Sequence, residues 1–159
     1  MSLSPQKLAQ RLREEGQQTV AFFEAIPPDQ WERQVYTDGE SWSIRQILAH
    51  IAQSEDGIYR MVAHIVSGGE GVPEDFDLDR YNQHKVQQAQ DQSPSDLIAM
   101  FSERRAVTVR WVSALSEEDL QKTGRHPWLG ESQIADMLKL MYRHVQLHQR
   151  DIRKLLKGL

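Results

Sequence analysis

The sequence predicts an all-α fold, a four-helix bundle with long crossover connections. Three observations carry this. Four long stretches repeat apolar residues every three to four positions, two of them open on a Ser-Pro pair, and no stretch shows the period of two that a strand requires. At 159 residues the chain fits one domain, residues 1–159, and can bury a core without disulfides or a structural metal. A mean hydropathy of -0.62 with 26% charged residues suits helices that each need only one apolar stripe.

Ser4 caps and Pro5 opens the first helix, whose stripe is Leu8, Leu12, Thr19, Phe22, Phe23 and Ile26. Pro27-Pro28 stops it, and Glu15 falls inside the stripe. A long connection follows, with a turn signal at Asp38-Gly39. Ser41 or Ser43 then caps the second helix, with Ile44, Ile47, Leu48, Ile51, Ile58, Met61, Val62 and Ile65 on its stripe and Gly68-Gly69 at its end. The polar segment 68–92 leaves room for a short helix from about Asp79 to Gln90. Ser93-Pro94 opens the third long helix, which runs to about Leu115 with Leu97, Ile98, Phe101, Val107, Trp111, Val112 and Leu115 on its apolar side. Ser116 to Leu120 reads as a turn of helix entering a loop that holds His126-Pro127-Trp128 and Gly130. The fourth long helix starts at Glu131, with Ile134, Met137, Leu138, Met141, Val145, Ile152, Leu155 and Leu156 on its stripe. Arg and Lys crowd its last turns, where they complement the helix dipole.

The net charge of -4 and pI of about 5.9 argue against a nucleic-acid partner bound by phosphate neutralisation. With no cysteine there are no disulfides, no thiolate nucleophile and no Cys-based zinc site. The N-terminal segment lacks the apolar region of a signal peptide, and no run approaches a membrane span. The expectation is a cytoplasmic protein with no membrane partner.

His144 and His148 lie four residues apart on the fourth helix, so their rings point the same way, offset by about 40° and about 6 Å. Met137, Met141, His144, His148, Ile152 and Leu155 form one continuous stripe, which turns both imidazoles toward the bundle interior. Burying them is costly unless each ring nitrogen is hydrogen-bonded or ligated. Two such rings can bind one divalent ion, but an open catalytic site takes three protein ligands. The residue after His144 is Val145, which excludes the H-E-x-x-H pattern, and the Glu-x-x-His pairs of di-iron bundles are missing. His50 is the third candidate, at the flank of the second helix's stripe, roughly 80° from its centre. Ser54 and Gly57 continue that flank, either leaving space beside a metal or allowing close helix packing.

His64 and His84 read as surface residues, and His126 as a loop residue at a pocket mouth. Glu15 is either a snorkelling residue or a buried acid able to take a proton from a ligand histidine or a water. Arg105 and Thr108 on the third helix pose the same choice. Trp31, Trp42, Trp111 and Trp128 suit packing, with Trp42 and Trp128, both beside loops, the better pocket walls.

Trp42 to Glu55 (WSIRQILAHIAQSE), followed far downstream by His144 to His148 (HVQLH) and preceded by Ile26 to Trp31 (IPPDQW), resembles the DinB and YfiT-like proteins over nearly the whole chain. The resemblance implies a crossover four-helix bundle, a homodimer, and a divalent metal held by three histidines, here His50, His144 and His148. Zinc or nickel is the metal it favours, with manganese or iron as alternatives. Related bundles include transferases and isomerases that use low-molecular-weight thiols of the bacillithiol or mycothiol type, and metal-dependent hydrolases. Some thiol-dependent isomerases carry Glu at the position of His144, which disfavours that subclass here.

Two readings of function follow. One is a metal-dependent enzyme acting on a small molecule, by thiol S-transfer or by hydrolysis, with Glu15, Tyr59 and Tyr142 as candidate proton-handling groups. The other is a non-catalytic stress-response bundle that binds a metal or a small molecule. An open metal position beside a dry, shaped pocket favours the first.

Overall fold

The structure, a computed structural model, describes residues 4–36 and 41–157. The turn expected at Asp38-Gly39 lies outside the described residues. Four long helices form the bundle: α1 (Pro5–Glu24), α2 (Ile44–Val66), α4 (Pro94–Ser113) and α6 (Ile134–Lys157). Two short helices, α3 (Leu78–Gln88) and α5 (Glu117–Gln121), and a hairpin of β1 (Thr123–His126) and β2 (Gly130–Gln133) occupy the connections.

The helix starts follow from their caps. Ser4, Ser43, Asp77, Ser93 and Ser116 each accept a backbone N–H of the first turn through the side chain. At Ser43, Ser93 and Ser116 the third helical residue answers with a bond back to the cap, closing a capping box. Ser43, not Ser41, is therefore the cap of α2.

Neighbouring helices pair as α1 with α4, α4 with α2, α2 with α6, and α6 with α1. Read around the ring, the order is α1, α4, α2, α6. The connections from α1 to α2 and from α4 to α6 thus cross the bundle, as the long segments between them allow. Two apolar clusters fill it, one around Phe23, Ile47, Phe101 and Ile152, the other around Leu12, Val62, Val112 and Leu138.

The face of α4 differs from the apolar reading. Leu97, Phe101, Arg105, Thr108, Val109 and Val112 are its buried residues, while Val107 is 37% exposed. A buried arginine and threonine complete the inward stripe, so counting apolar positions alone tilts the face toward Val107. Arg105 donates to both carboxylate oxygens of Glu55 on α2, at 2.8 and 2.9 Å, and to the carbonyl of Leu12 on α1 at 3.0 Å. Its side chain crosses α1 at Gly16, where a Cβ would come within 2.8 Å of Arg105 Cγ. One guanidinium thereby ties three helices together.

Residues 123–133, where no strand was expected, form an antiparallel hairpin, and α6 begins at Ile134 rather than Glu131. The strand signal is absent because the buried positions of β1 are Gly124 and His126, which show no apolar alternation. Gly130, at φ +73, closes the loop Pro127–Leu129. Gly124 lets β1 lie against α2: a Cβ there would meet Ile65 Cδ1 at 2.6 Å. Gly71, at φ +96, approaches the Arg125 backbone just as closely, and Val72 N–H donates to Arg125 C=O at 2.9 Å. The α2–α3 connection is thus stitched to the hairpin. Among the described residues no helix is long and apolar enough to cross a membrane.

Removing one partner of the buried pair strands the other's charge, which costs about 3–5 kcal/mol. Arg105→Met should lower the unfolding free energy by about that much in urea denaturation, and Glu55→Gln/Arg105→Met should recover most of it.

Candidate metal centre

His50 on α2 and His144 and His148 on α6 converge. One ring nitrogen from each lies within 4.8 Å of the others. The ring centroids are 5.1 Å apart for His50 and His144, 5.2 Å for His50 and His148, and 4.5 Å for His144 and His148.

The protonation pattern of His148 can be worked out. Tyr36 donates its hydroxyl proton to Asp151 Oδ2 at 2.6 Å, so its oxygen must accept from His148 Nδ1–H at 3.0 Å. That puts a lone pair on His148 Nε2, which faces His144 Nε2 at 3.0 Å. Two imidazole nitrogens bound to one ion at about 2.0–2.1 Å are separated by about 2.9–3.4 Å, so this spacing fits a shared cation. His50 Nδ1 lies 3.4 Å from Ser54 Oγ, which leaves Nε2 for the same centre. Tyr36 is brought to this place by a fold-back: Val35 N–H donates to Trp42 C=O at 2.9 Å, just before α2 begins.

Electrostatics agree with a ligand role. Burial lowers the pKa of all three rings. For His50, the neighbouring His144 and His148 push further in the same direction, well below 6.5. For His148, burial and His144 outweigh Asp151 and bring the value to about 3. Neutral imidazole is the form that ligates. Burial raises the pKa of Tyr36, and the hydrogen bond to Asp151 adds to it, so the phenol remains a proton donor.

A cavity of about 210 Å³ opens beside His50 and His144, walled mainly by Ile51, Ile58, Met137, Met141 and Trp128. The indole of Trp128 stands 5.9 Å from the His144 ring, and that of Trp42 4.9 Å from His50. Trp128 is thus a cavity wall as expected, whereas Trp42 is buried against His50 and does not line the cavity. Ser54 lines the cavity, whereas the space at Gly57 is taken by the Tyr81 hydroxyl of α3, so that glycine serves close packing.

The remaining candidates sit elsewhere. Glu15 pairs with Arg11 at 2.9 Å and accepts from Gln146 at 2.9 Å. Tyr142 lies under the Arg11 guanidinium, and Tyr59 packs edge-on against Trp111. None of the three lines the histidine cavity. His64 and His84 are exposed. His126 lines the cavity as expected of a residue at its mouth, but it is 5% exposed rather than open to solvent. Tyr36, Asp151 and Glu55 were not singled out from the sequence. Asp151 was findable, because it lies on the same helix face three residues beyond His148. Tyr36 comes from a loop and leaves no such periodic signal.

Fold and site together define a crossover four-helix-bundle protein with a three-histidine group beside an apolar cavity, which His50 and His144 line. The chain belongs to the DinB superfamily, whose model matches residues 11–152. Solved structures share the fold. YfiT from Bacillus subtilis, described as a "probable metal-dependent hydrolase with an unusual four-helix bundle topology", superposes with a TM-score of 0.80 at 19% identity, over 99% of this chain and 90% of that one. A mycothiol-dependent maleylpyruvate isomerase gives a TM-score of 0.73 at 12% identity, over 94% of this chain and 60% of that one. The colibactin self-resistance protein ClbS, in complex with double-stranded DNA, gives 0.72 at 15% identity, over 97% of both chains. No curated protein sequence matches the chain.

The histidines tie stability to pH. His126 and His148, at about 4 and about 3 when folded, return to about 6.5 when unfolded, so the unfolded chain binds more protons between these values. Stability should be flat above pH 6.5 and fall as pH drops from 6.5 toward 4. By pH 5 the metal-free protein should have lost about 2 kcal/mol per buried neutral histidine, as read by urea denaturation at a series of pH values.

Proposed function

We propose that this protein is a divalent-metal-dependent enzyme acting on a small molecule, with His50, His144 and His148 as the ligands and zinc or nickel as the ion. The observation that supports it is the convergence of three neutral imidazoles, two of which, His50 and His144, line an apolar cavity. A sequestering site needs no such cavity, so the catalytic reading is preferred to a storage bundle.

The donor set, three histidine nitrogens and no carboxylate within the group, suits a borderline-soft ion that keeps positions open. When bound, such an ion supplies Lewis acidity to a water or thiol entering from the cavity. The chain's own contribution is orientation and exclusion of water. Asp151 and Tyr36 hold His148 in the Nδ1–H tautomer, and apolar walls keep the site dry. S-transfer would take its sulfur from a low-molecular-weight thiol, because the chain has no cysteine. Hydrolysis would use water at the same place. The acidic net charge supports a small-molecule partner over nucleic acid, although the fold also occurs in a DNA-bound relative.

Protein purified without a tag or metal column should contain close to one divalent ion per chain by elemental analysis, and His148→Ala should contain almost none. A wild-type protein that takes up neither zinc, nickel nor manganese would overturn the reading.

Tyr36→Phe removes both hydrogen bonds of the phenol but keeps the ring. It should weaken metal affinity by about 10–100-fold in calorimetric titration, with the folded spectrum unchanged.

A further inference from the structure

The metal reading leaves one buried polar group without a task. His126, at the end of β1, accepts from the backbone N–H of Trp128 at 3.0 Å and of Leu129 at 3.1 Å, both through Nδ1. Two N–H donors on one nitrogen require a lone pair there, so in the neutral ring the proton sits on Nε2. Burial and the neighbouring His144 lower its pKa to about 4, which keeps the ring neutral. The residue is 5% exposed and lines the histidine cavity, and Nε2 has no protein partner. No buried side-chain nitrogen or oxygen among the described residues lacks a partner, so an unbonded Nε2 must reach accessible space, and the cavity that His126 lines is where we place it. The hairpin thus presents one fixed N–H donor beside His144.

The rest of the lining says what that donor meets. Neither this cavity nor the lobe of about 180 Å³ that continues from it past Ser54, Leu78 and Asn82 toward Phe76 and Tyr81 is lined by a Lys, Arg or Asp. The one acidic side chain, Glu55, is held at both oxygens by Arg105. Away from the three histidines, a free anionic or cationic group in the body of a ligand would find no counter-charge in the lining, which is costly. We propose that the cavity takes an uncharged, mainly apolar molecule carrying a carbonyl-type oxygen, and that His126 Nε2–H is the hydrogen bond that holds this oxygen beside the three histidines. The proposal rests on the reading of this cavity as the substrate site and narrows its substrate class.

Benzamide, benzoate, benzamidinium and toluene present one ring with a neutral acceptor, an anion, a cation and no polar group. Their binding to the metal-free full chain can be followed by amide chemical shifts of Trp128 and Leu129. Benzamide should bind about ten-fold more tightly than either ion and about five-fold more tightly than toluene. His126→Asn keeps an acceptor near the Nδ1 position, so the turn stays closed, but loses the Nε2 donor. It should bind benzamide no better than toluene, with toluene unchanged. The imidazole nitrogen spectrum of the wild type should show His126 as the Nε2–H tautomer from pH 6 to 8. Tighter binding of benzoate or benzamidinium, undiminished benzamide binding by His126→Asn, or an Nδ1–H tautomer would each overturn the proposal. Zinc uptake, measured on the same samples, separates the two readings. Benzamide preference without zinc uptake overturns the metal site alone, and zinc uptake without that preference overturns the role of His126 alone.

Discussion

The bidentate pair between Glu55 and Arg105 is the contact on which the arrangement of the site depends. Helix α2 faces α4, α6 and α3 at once, and apolar packing alone would tolerate small rotations about its axis. A rotation of one residue, about 100°, would turn His50 away from α6 and present Ala49 or Ile51 in its place. Two parallel N–H···O bonds tolerate no such slip, because the guanidinium fork and the carboxylate must stay coplanar. The same guanidinium reaches Leu12 and lies across Gly16, so the setting of α2 is also the setting of α1 and α4. A buried ion pair contributes little net stability compared with an apolar replacement of equal volume. Its contribution here is orientation.

The histidines and most of the cavity wall come from α2 and α6, and the connections add the remaining pieces. The three histidines stand on the long helices α2 and α6, and the Glu55–Arg105 pair fixes the rotation of α2 that core packing alone leaves open. Their tautomers and surroundings are set by connections: Tyr36 from the segment before α2, and His126 and Trp128 from the hairpin before α6. The two crossing connections lie at opposite ends of the bundle, with Trp31 and Trp42 in the cluster around Phe23 and Leu115 and Leu120 in the cluster around Val62, and each sends an indole back to a histidine, Trp42 to His50 and Trp128 to His144. The carboxylate, phenol and imidazole of Asp151, Tyr36 and His148 act in series, so the charge at one end determines which nitrogen is free at the other.

The four long helices were legible because each is amphipathic, and four of the five helices given a cap here start at a serine that satisfies the first turn. The histidine group was legible in two stages. Spacing placed His144 and His148 on one inward stripe, and wheel arithmetic with the family resemblance picked His50. What escaped has physical reasons. Arg105 disguised the inner face of α4, since a buried cation reads as surface until its partner is known. The hairpin is built from Gly, Arg, His, Glu and Ser, and it is held by glycine close approaches that leave no apolar pattern. Glu15 shares a stripe with Leu8 and Leu12, which left it as either a snorkelling residue or a buried acid, and it is partly exposed and paired with Arg11. The acid that is buried is Glu55, which falls on the α2 stripe between Ile51 and Ile58, so helical periodicity marked its position and only its partner Arg105 explains how a carboxylate can be there.

The stitching of the hairpin to the α2–α3 connection through Gly71 and Arg125 makes these two segments one mechanical piece. Together they carry Val72, His126, Pro127 and Trp128, and none of the three histidine donors. Changes in length or composition there would alter the rim of the cavity and leave the spacing of the three histidines intact, while changes on α2 and α6 would touch the histidines and the walls together. A cavity rim carried on a separate piece in this way can change over evolutionary time, or in the hands of an engineer, without moving the three histidines.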